Sequence, residues 1–236
     1  MNNSKKLIED AKKINVELDM FHVKQFEKFQ ELLLDWNEKI NLTAITEEND
    51  IITKHFIDSL TCLKYIGEKS KMIDVGTGAG FPGVPIKIVS RETKLTLLDS
   101  LNKRIVYLND VIDKLGLMDV ETIHGRAEEL SKDEKYREKY DIATARAVAN
   151  LKVLSEYCLP FVKVGGKFVC MKGSEYEEEI NEAKAHIGNL GGKISKVEEI
   201  ILPGSDIKHT IIIIDKISKT PKQFPRRKIK WVWKNI

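Results

Sequence analysis

From Lys71 onward short apolar runs alternate with amphipathic stretches, and the first run empties into Asp74-Val-Gly-Thr-Gly-Ala-Gly-Phe-Pro-Gly83. A strand feeding a turn of such small residues fixes one strand-turn-helix unit and marks the end of a sheet where a ligand can meet backbone. Gly76, Gly78 and Gly80 permit positive φ and leave no Cβ between backbone N–H groups and a polar cofactor. The spacing then separates cofactors. A dinucleotide turn needs G-x-G-x-x-G, whereas here the third glycine comes one residue early and Phe81 stands where a pyrophosphate needs glycine. A P-loop needs Gly-Lys-Ser/Thr, and none follows. The rival reading is a glycine-rich turn with no ligand.

The apolar runs predict strands at 71–75, 94–99, 119–124, 140–145, 166–171, 194–202 and 209–215, with helices near 83–90, 102–115, 126–131, 148–158 and 174–189. Five β-α units followed by two strands with no helix between them argue for an α/β fold, a doubly wound and mostly parallel seven-stranded sheet closed by a hairpin. Residues 1–68 carry no strand pattern. Phe26, Phe29, Leu33, Trp36 and Ile40 recur every three or four positions and form one stripe of a helix, most simply a core face. A second short helix is expected from Asp50 to Tyr65, with Thr46 available as a cap. The chain therefore divides into a helical extension (1–68), a sheet domain (69–218) and a basic tail (219–236).

Composition narrows the class. With 42% hydrophobic and 32% charged residues in 236, the chain has enough apolar surface for a real core. No apolar run approaches the roughly 20 residues of a membrane span, and Asn2-Asn3-Ser4-Lys5-Lys6 lacks a signal-peptide core, so a cytoplasmic protein is expected. Cys62, Cys158 and Cys170 are odd in number and far apart, which suggests buried thiols, no disulfide framework and no metal site. The net charge of +3 is unevenly spread. Lys216 to Ile236 holds eight Lys/Arg and no Asp/Glu, leaving the remainder net acidic. Such a run is either a solvated tail or a contact to a phosphate backbone.

In an open parallel sheet, ligands sit beyond the carboxyl ends of the strands. Asp99 ends the second strand about 20 residues after the glycine turn, where an acid can accept hydrogen bonds from ribose hydroxyls. After the third strand, Ala127 and Glu128 offer backbone N–H groups to an adenine, or simply start a helix with favourable acids. Arg146 closes the fourth strand; its five donors suit a phosphate, a carboxylate or a guanine edge, and the competing reading is a surface ion pair. Lys172 lies at the end of the fifth strand, on the same rim.

The G-x-G-x-G turn preceded by an acid resembles motif I of the S-adenosylmethionine-dependent methyltransferases. The resemblance is closer still to the RsmG (GidB) family. It is carried by Trp36-Asn-Glu-Lys-Ile-Asn-Leu-Thr43, His55-Phe-Ile-Asp-Ser-Leu60, Asp74 to Gly83, Gly125-Arg-Ala-Glu128, Arg146-Ala147, Lys172-Gly173 and Phe224-Pro-Arg226, in order and spacing. Members of that family transfer a methyl group from S-adenosylmethionine to N7 of a guanosine in bacterial 16S ribosomal RNA. The resemblance implies that cofactor, with contacts at Gly76, Phe81, Ala127, Glu128 and Arg146; the turn and the second strand add Gly78 and Asp99. Arg146 and Lys172 are the candidate catalytic residues, and Lys172, Arg226, Arg227 and Lys228 the candidate RNA contacts. The partner implied is 16S rRNA or the small ribosomal subunit, and a monomer is expected. The segment Arg227 to Ile236 departs from the family's usual Gly/Pro/Asn/Lys-rich ending, although Lys/Arg interleaved with Trp231 and Trp233 suit phosphates and bases.

Guanine N7 has a lone pair and no proton at neutral pH, so its methylation needs positioning more than a general base. The chain has no Asp/Asn-Pro-Pro-Tyr/Phe loop for an exocyclic amine and no Pro-Cys for attack on a pyrimidine C6. Other readings remain at this stage: a methyltransferase of a small molecule or protein, a cofactor-binding RNA-associated protein without turnover, and, more remotely, a nicotinamide oxidoreductase.

Overall fold

The computed structural model describes residues 2–146 and 149–226. Arg227, Lys228, Trp231 and Trp233 lie outside the described residues, so the roles expected of them are left to experiment. Helices α1 (Asn2–Lys13) and α2 (Met20–Ile40) open the chain. Asp19 caps α2 by accepting from the His22 N–H, and Asn41 ends it in the left-handed region. There the Asn37 side-chain oxygen takes the N–H groups of Leu42 and Thr43, which turns the chain away from the helix. Phe26, Phe29 and Leu33 of the expected stripe are buried, while Trp36 and Ile40 are partly buried against the same core.

The second helical segment departs from expectation in detail. It comprises α3 (Glu48–Ile51), a π-helical turn (Ile52–Ile57) and α4 (Asp58–Leu60). Thr46 does not cap it: the N-cap is Glu47, without a side-chain cap bond, and Glu48 and Asp50 set negative charge against the first turn's dipole instead. The wider π turn alters the side-chain phasing and puts His55, Phe56 and Asp58 all in buried positions.

Beyond it run β1 (Lys71–Val75), α5 (Gly83–Val89), β2 (Lys94–Asp99), α6 (Asn102–Leu115), β3 (Val120–His124), α7 (Ala127–Leu130), β4 (Tyr140–Arg146), α8 (Leu151–Cys158), β5 (Val162–Lys172), α9 (Glu177–Asn189), β6 (Gly192–Ile201) and β7 (Lys208–Lys216). Among the described residues the strands form one seven-stranded sheet, ordered β3-β2-β1-β4-β5-β7-β6. All neighbours are parallel except β7, antiparallel to both β5 and β6. The chain winds outward from β1 to β3 and restarts at β4 on the other side of β1. That switch opens a crevice at the carboxyl ends of β1 and β4.

Two apolar clusters cover the sheet's faces. One packs Met72, Leu97, Val169 and Ile213 against α2, the π turn and α5; the other packs Ile73, Phe168 and Ile212 against α8 and α9. The three cysteines are buried free thiols. Residues 219–226 are not loose. Arg137 donates to the carbonyls of Thr220, Pro221 and Phe224, the Glu138 carboxylate accepts from the Thr220 N–H, and buried Lys216 donates to Thr220 Oγ1. Burial pushes the Lys216 ammonium down to about 8, against the pull of Glu138.

Candidate functional site

The glycine turn is tied at both ends by carboxylates. Asp74 Oδ2 accepts from Thr77 Oγ1 at 2.7 Å and from the Gly83 N–H at 2.9 Å, closing the loop on the start of α5. A Cβ on Gly83 would lie 2.6 Å from Leu97 and 2.9 Å from that carboxylate, so only glycine fits between them. Gly78 sits at φ 60 and turns its N–H to Asp99 Oδ2 at 2.9 Å. Asp99 is buried at the end of β2; its Oδ1 accepts from the Leu101 N–H at 2.9 Å, and Arg104 reaches Oδ2 at 3.3 Å. The acid expected to meet ribose thus also holds the loop in place, with lone pairs left for a ligand.

At the switch point these residues open onto a pocket whose lining includes Gly76, Asp99, Ala127 and Glu128, with apolar walls from Leu98, Leu154 and Tyr157. Ala127 and Glu128 form the first turn of α7, where helix N–H groups have no intrahelical partners. A buried carboxylate, free backbone donors and flat apolar walls match the chemistry of a nucleoside: hydroxyls for the first, ring nitrogens for the second, a base for the third. The residues fit the adenosine portion of S-adenosylmethionine. Gly76, Asp99, Ala127 and Glu128 would hold it, and Gly78 acts one step back through Asp99. Leu154 and Tyr157 were invisible from sequence because α8 looks like any core helix. Arg104 had no better signal, being one basic residue among several on α6.

Phe81 and Arg146 are placed elsewhere. Phe81 is only 4% exposed and lies against Phe29 and Phe56; the His55 ring stacks on it at 4.4 Å and the Arg146 guanidinium covers it at 4.9 Å. Arg146 donates to Asp58 Oδ2 at 3.0 Å, to the Lys54 carbonyl at 3.1 Å and to His55 Nδ1 at 3.1 Å. It is an ion pair, but not a surface one: Asp58 is fully buried and the Arg146 side chain 16% exposed. His55 passes its other nitrogen to Thr43 Oγ1 at 2.9 Å. Burial first, and then the Arg146 charge, push the His55 imidazole down to about 3, so the ring is neutral and can accept from Arg146. This arrangement binds the rim of β4 and the glycine loop to the helical extension. The sequence carried a faint signal for it, His55 and Asp58 being three apart on one helical face.

Lys172 is largely covered, its ammonium bonded to the Ala149 carbonyl at 3.0 Å and to Glu179 at 2.9 Å. Glu179 also accepts from the Leu151 N–H, so this Lys helps to seat α8 on α9. Arg226 lies toward the other end of α8, its guanidinium paired with Glu156 at 2.7 Å while 58% of its side chain stays exposed. Burial raises the Glu156 carboxyl, but the Arg226 guanidinium and N–H, with His186, outweigh it and hold the group below its ordinary value. The structure gathers four expected cofactor residues, Gly76, Asp99, Ala127 and Glu128, around one pocket. Arg146 and Lys172 lie on the same carboxyl rim without lining it.

Comparison with known proteins agrees with this layout. Among solved structures, M. jannaschii TYW2 in complex with AdoMet aligns with a TM-score of 0.52 at 16% identity, covering 69% of this chain and 76% of that one. A SAM-dependent methyltransferase from Aquifex aeolicus aligns at 0.52 with 21% identity, over 70% of this chain and 92% of that one. At such identities the likeness is one of fold. Sequence relatives are far closer. Ribosomal RNA small subunit methyltransferase G of Alkaliphilus metalliredigens is 52% identical over 95% of each chain. Its namesake from Thermoanaerobacter sp. is 55% identical over 94% of this chain and 93% of its own. The sequence model of GidB, rRNA small subunit methyltransferase G, matches residues 22–206, and the chain therefore belongs to that family.

Proposed function

We propose that this chain transfers a methyl group from S-adenosylmethionine to N7 of a guanosine in 16S ribosomal RNA. The observation that carries the reading is the pocket at the β1/β4 switch, where the glycine turn, Asp99 and the first turn of α7 meet in a chain more than 50% identical to rRNA methyltransferases. The cofactor, when bound, supplies an electrophilic methyl on a sulfonium sulfur. Asp99 and the N–H groups of the α7 first turn orient the nucleoside portion, while Leu98, Leu154 and Tyr157 exclude water from its base. Because guanine N7 is unprotonated, no side chain has to remove a proton before attack. The chain's task is to hold the base in line, and proximity and orientation of that kind supply on the order of 7–11 kcal/mol. Arg146 and Lys172 sit at the rim where the RNA must approach, and Arg226, Arg227 and Lys228 provide positive charge for its phosphates. We take the chain to act as a monomer in the cytoplasm. The test is to map N7-methylguanosine in 16S rRNA from cells with and without this protein. Loss of one such mark on deletion, restored by the intact gene, is the expected result; an unchanged pattern refutes the reading.

A further inference from the structure

The buried carboxylate of Asp58 serves two rim groups at once. One oxygen holds Arg146, and the other meets His209 Nδ1 at 2.5 Å. His209 is the second residue of β7, which is antiparallel to β5; its neighbour Thr210 pairs with Lys172, so His209 stands on the same carboxyl rim as Arg146 and Lys172. Its side chain is 29% exposed, and Nε2 has no hydrogen-bond partner among the described residues. The Asp58 contact places the hydrogen on Nδ1, which fixes the ring orientation and, in that tautomer, leaves Nε2 as an acceptor. A carboxylate buried behind a histidine whose far nitrogen is free is a device for presenting that nitrogen in one direction.

We infer that His209 contacts the target base, accepting from the N1–H and N2–H edge of guanine, with Asp58 as its positioning residue. The inference rests on the guanine-N7 reading above and extends it to base selection. An acceptor is repelled by N7, itself an acceptor, and is matched by guanine's donor edge on the opposite side of the base. Gripping that edge leaves N7 free to receive the methyl group. Adenine presents an unprotonated N1 there and is rejected.

The discriminating variant is His209→Asn, whose amide N–H can replace Nδ1–H toward Asp58 but leaves nothing at the place of Nε2. Single-turnover methylation is measured on 16S rRNA carrying guanosine or adenosine at the mapped position, alongside S-adenosylmethionine affinity by calorimetry. Cofactor affinity is expected to stay unchanged, the rate on guanosine to fall roughly ten- to a hundredfold, and the preference for guanosine over adenosine to shrink by a similar factor. Two results overturn the assignment to His209 alone: an unchanged rate on guanosine, or a loss of rate that accompanies loss of cofactor binding, as a purely structural role requires. An equal fall on both bases also overturns the base-edge contact. If the wild-type chain transfers no methyl group to rRNA, the parent reading fails and this one with it.

Discussion

Replacing Asp74 by Asn tests whether the glycine turn is held at an electrostatic cost. Asp74 is fully buried; Oδ2 has two donors, while Oδ1 is buried without a partner among the described residues. Burial raises its carboxyl from 3.8 to about 6, against the lowering influence of Thr77, the Gly83 N–H and Arg146. The folded chain therefore binds this proton more tightly than the unfolded chain does. Its stabilising contribution is fully present below pH 3.8 and is lost as pH rises through about 6. That rise corresponds to about 3 kcal/mol between the two ends of the titration. Asn cannot ionise, yet its amide oxygen can still accept from Thr77 and Gly83. Its NH₂ group takes the place of the unpartnered oxygen and carries a pH-independent cost of about 1–3 kcal/mol. The readout is thus the slope and not the offset. Urea unfolding of the cofactor-free proteins between pH 4 and pH 7 should show the wild type losing about 2 kcal/mol of that difference relative to Asp74→Asn as pH rises, the rest lying below pH 4. Parallel stability curves, or a variant that weakens relative to wild type above pH 6, refute the reasoning.

Three further outcomes are expected. Gly76→Val should abolish S-adenosylmethionine binding in calorimetry, because φ at this position is 72 and a branched side chain would both strain the turn and enter the pocket; unchanged affinity in a folded variant removes the turn from the site. Lys172→Ala should keep cofactor affinity and lose turnover if its ammonium leaves Glu179 for RNA, whereas a normal single-turnover rate with a loss of about 1–3 kcal/mol of stability makes it a tie between β5 and the helices. Deleting Arg226 to Ile236 should flatten the slope of log K for RNA against log[salt] by about 0.7–0.9 per lost phosphate contact and leave cofactor affinity alone. It also strips Glu156 of its Arg226 partner, at about 1–3 kcal/mol of stability after allowance for the exposed guanidinium. Deleting only 227–236 spares that pair, so an unaltered salt slope in the shorter deletion sinks the RNA-contact reading of the tail.

The sheet was legible because each strand carries its own signal. Apolar runs of five to seven residues ending in Asp99, Arg146 or Lys172 gave strand positions to within a residue or two at those ends, and the missing helix between β6 and β7 gave the antiparallel closure. The start of β5 was less visible: it begins at Val162, before the apolar run, because Gly165 takes a positive φ of 87 and Gly166 lets the chain follow β4 where a side chain could not. A Cβ on Gly166 would lie 2.4 Å from the Asp141 carbonyl. Backbone clearance of this kind leaves no hydrophobic period to read. Gly76, Asp99, Ala127 and Glu128 come to one pocket for the same reason that the strands were legible, since the position of strand and helix ends follows from topology.

What sequence could not supply is the partner of a charged rim residue. Arg146 offers five donors whatever surrounds it, and a lone arginine at a strand end is compatible with substrate, cofactor or protein. Its partners Lys54, His55 and Asp58 come from some 90 residues earlier in the chain, in and just after the π turn over Ile52–Ile57. His55 of the same turn stacks on Phe81, so the glycine loop, the β4 rim and the extension share one buried polar and aromatic cluster. It follows that the helical extension is not an appendage to the sheet domain. Asp58 and His55 set the orientation of Arg146, and Asp58 that of His209, on the carboxyl rim of the sheet. A chain cut after residue 68 would lose these supports even if its sheet and glycine turn still formed.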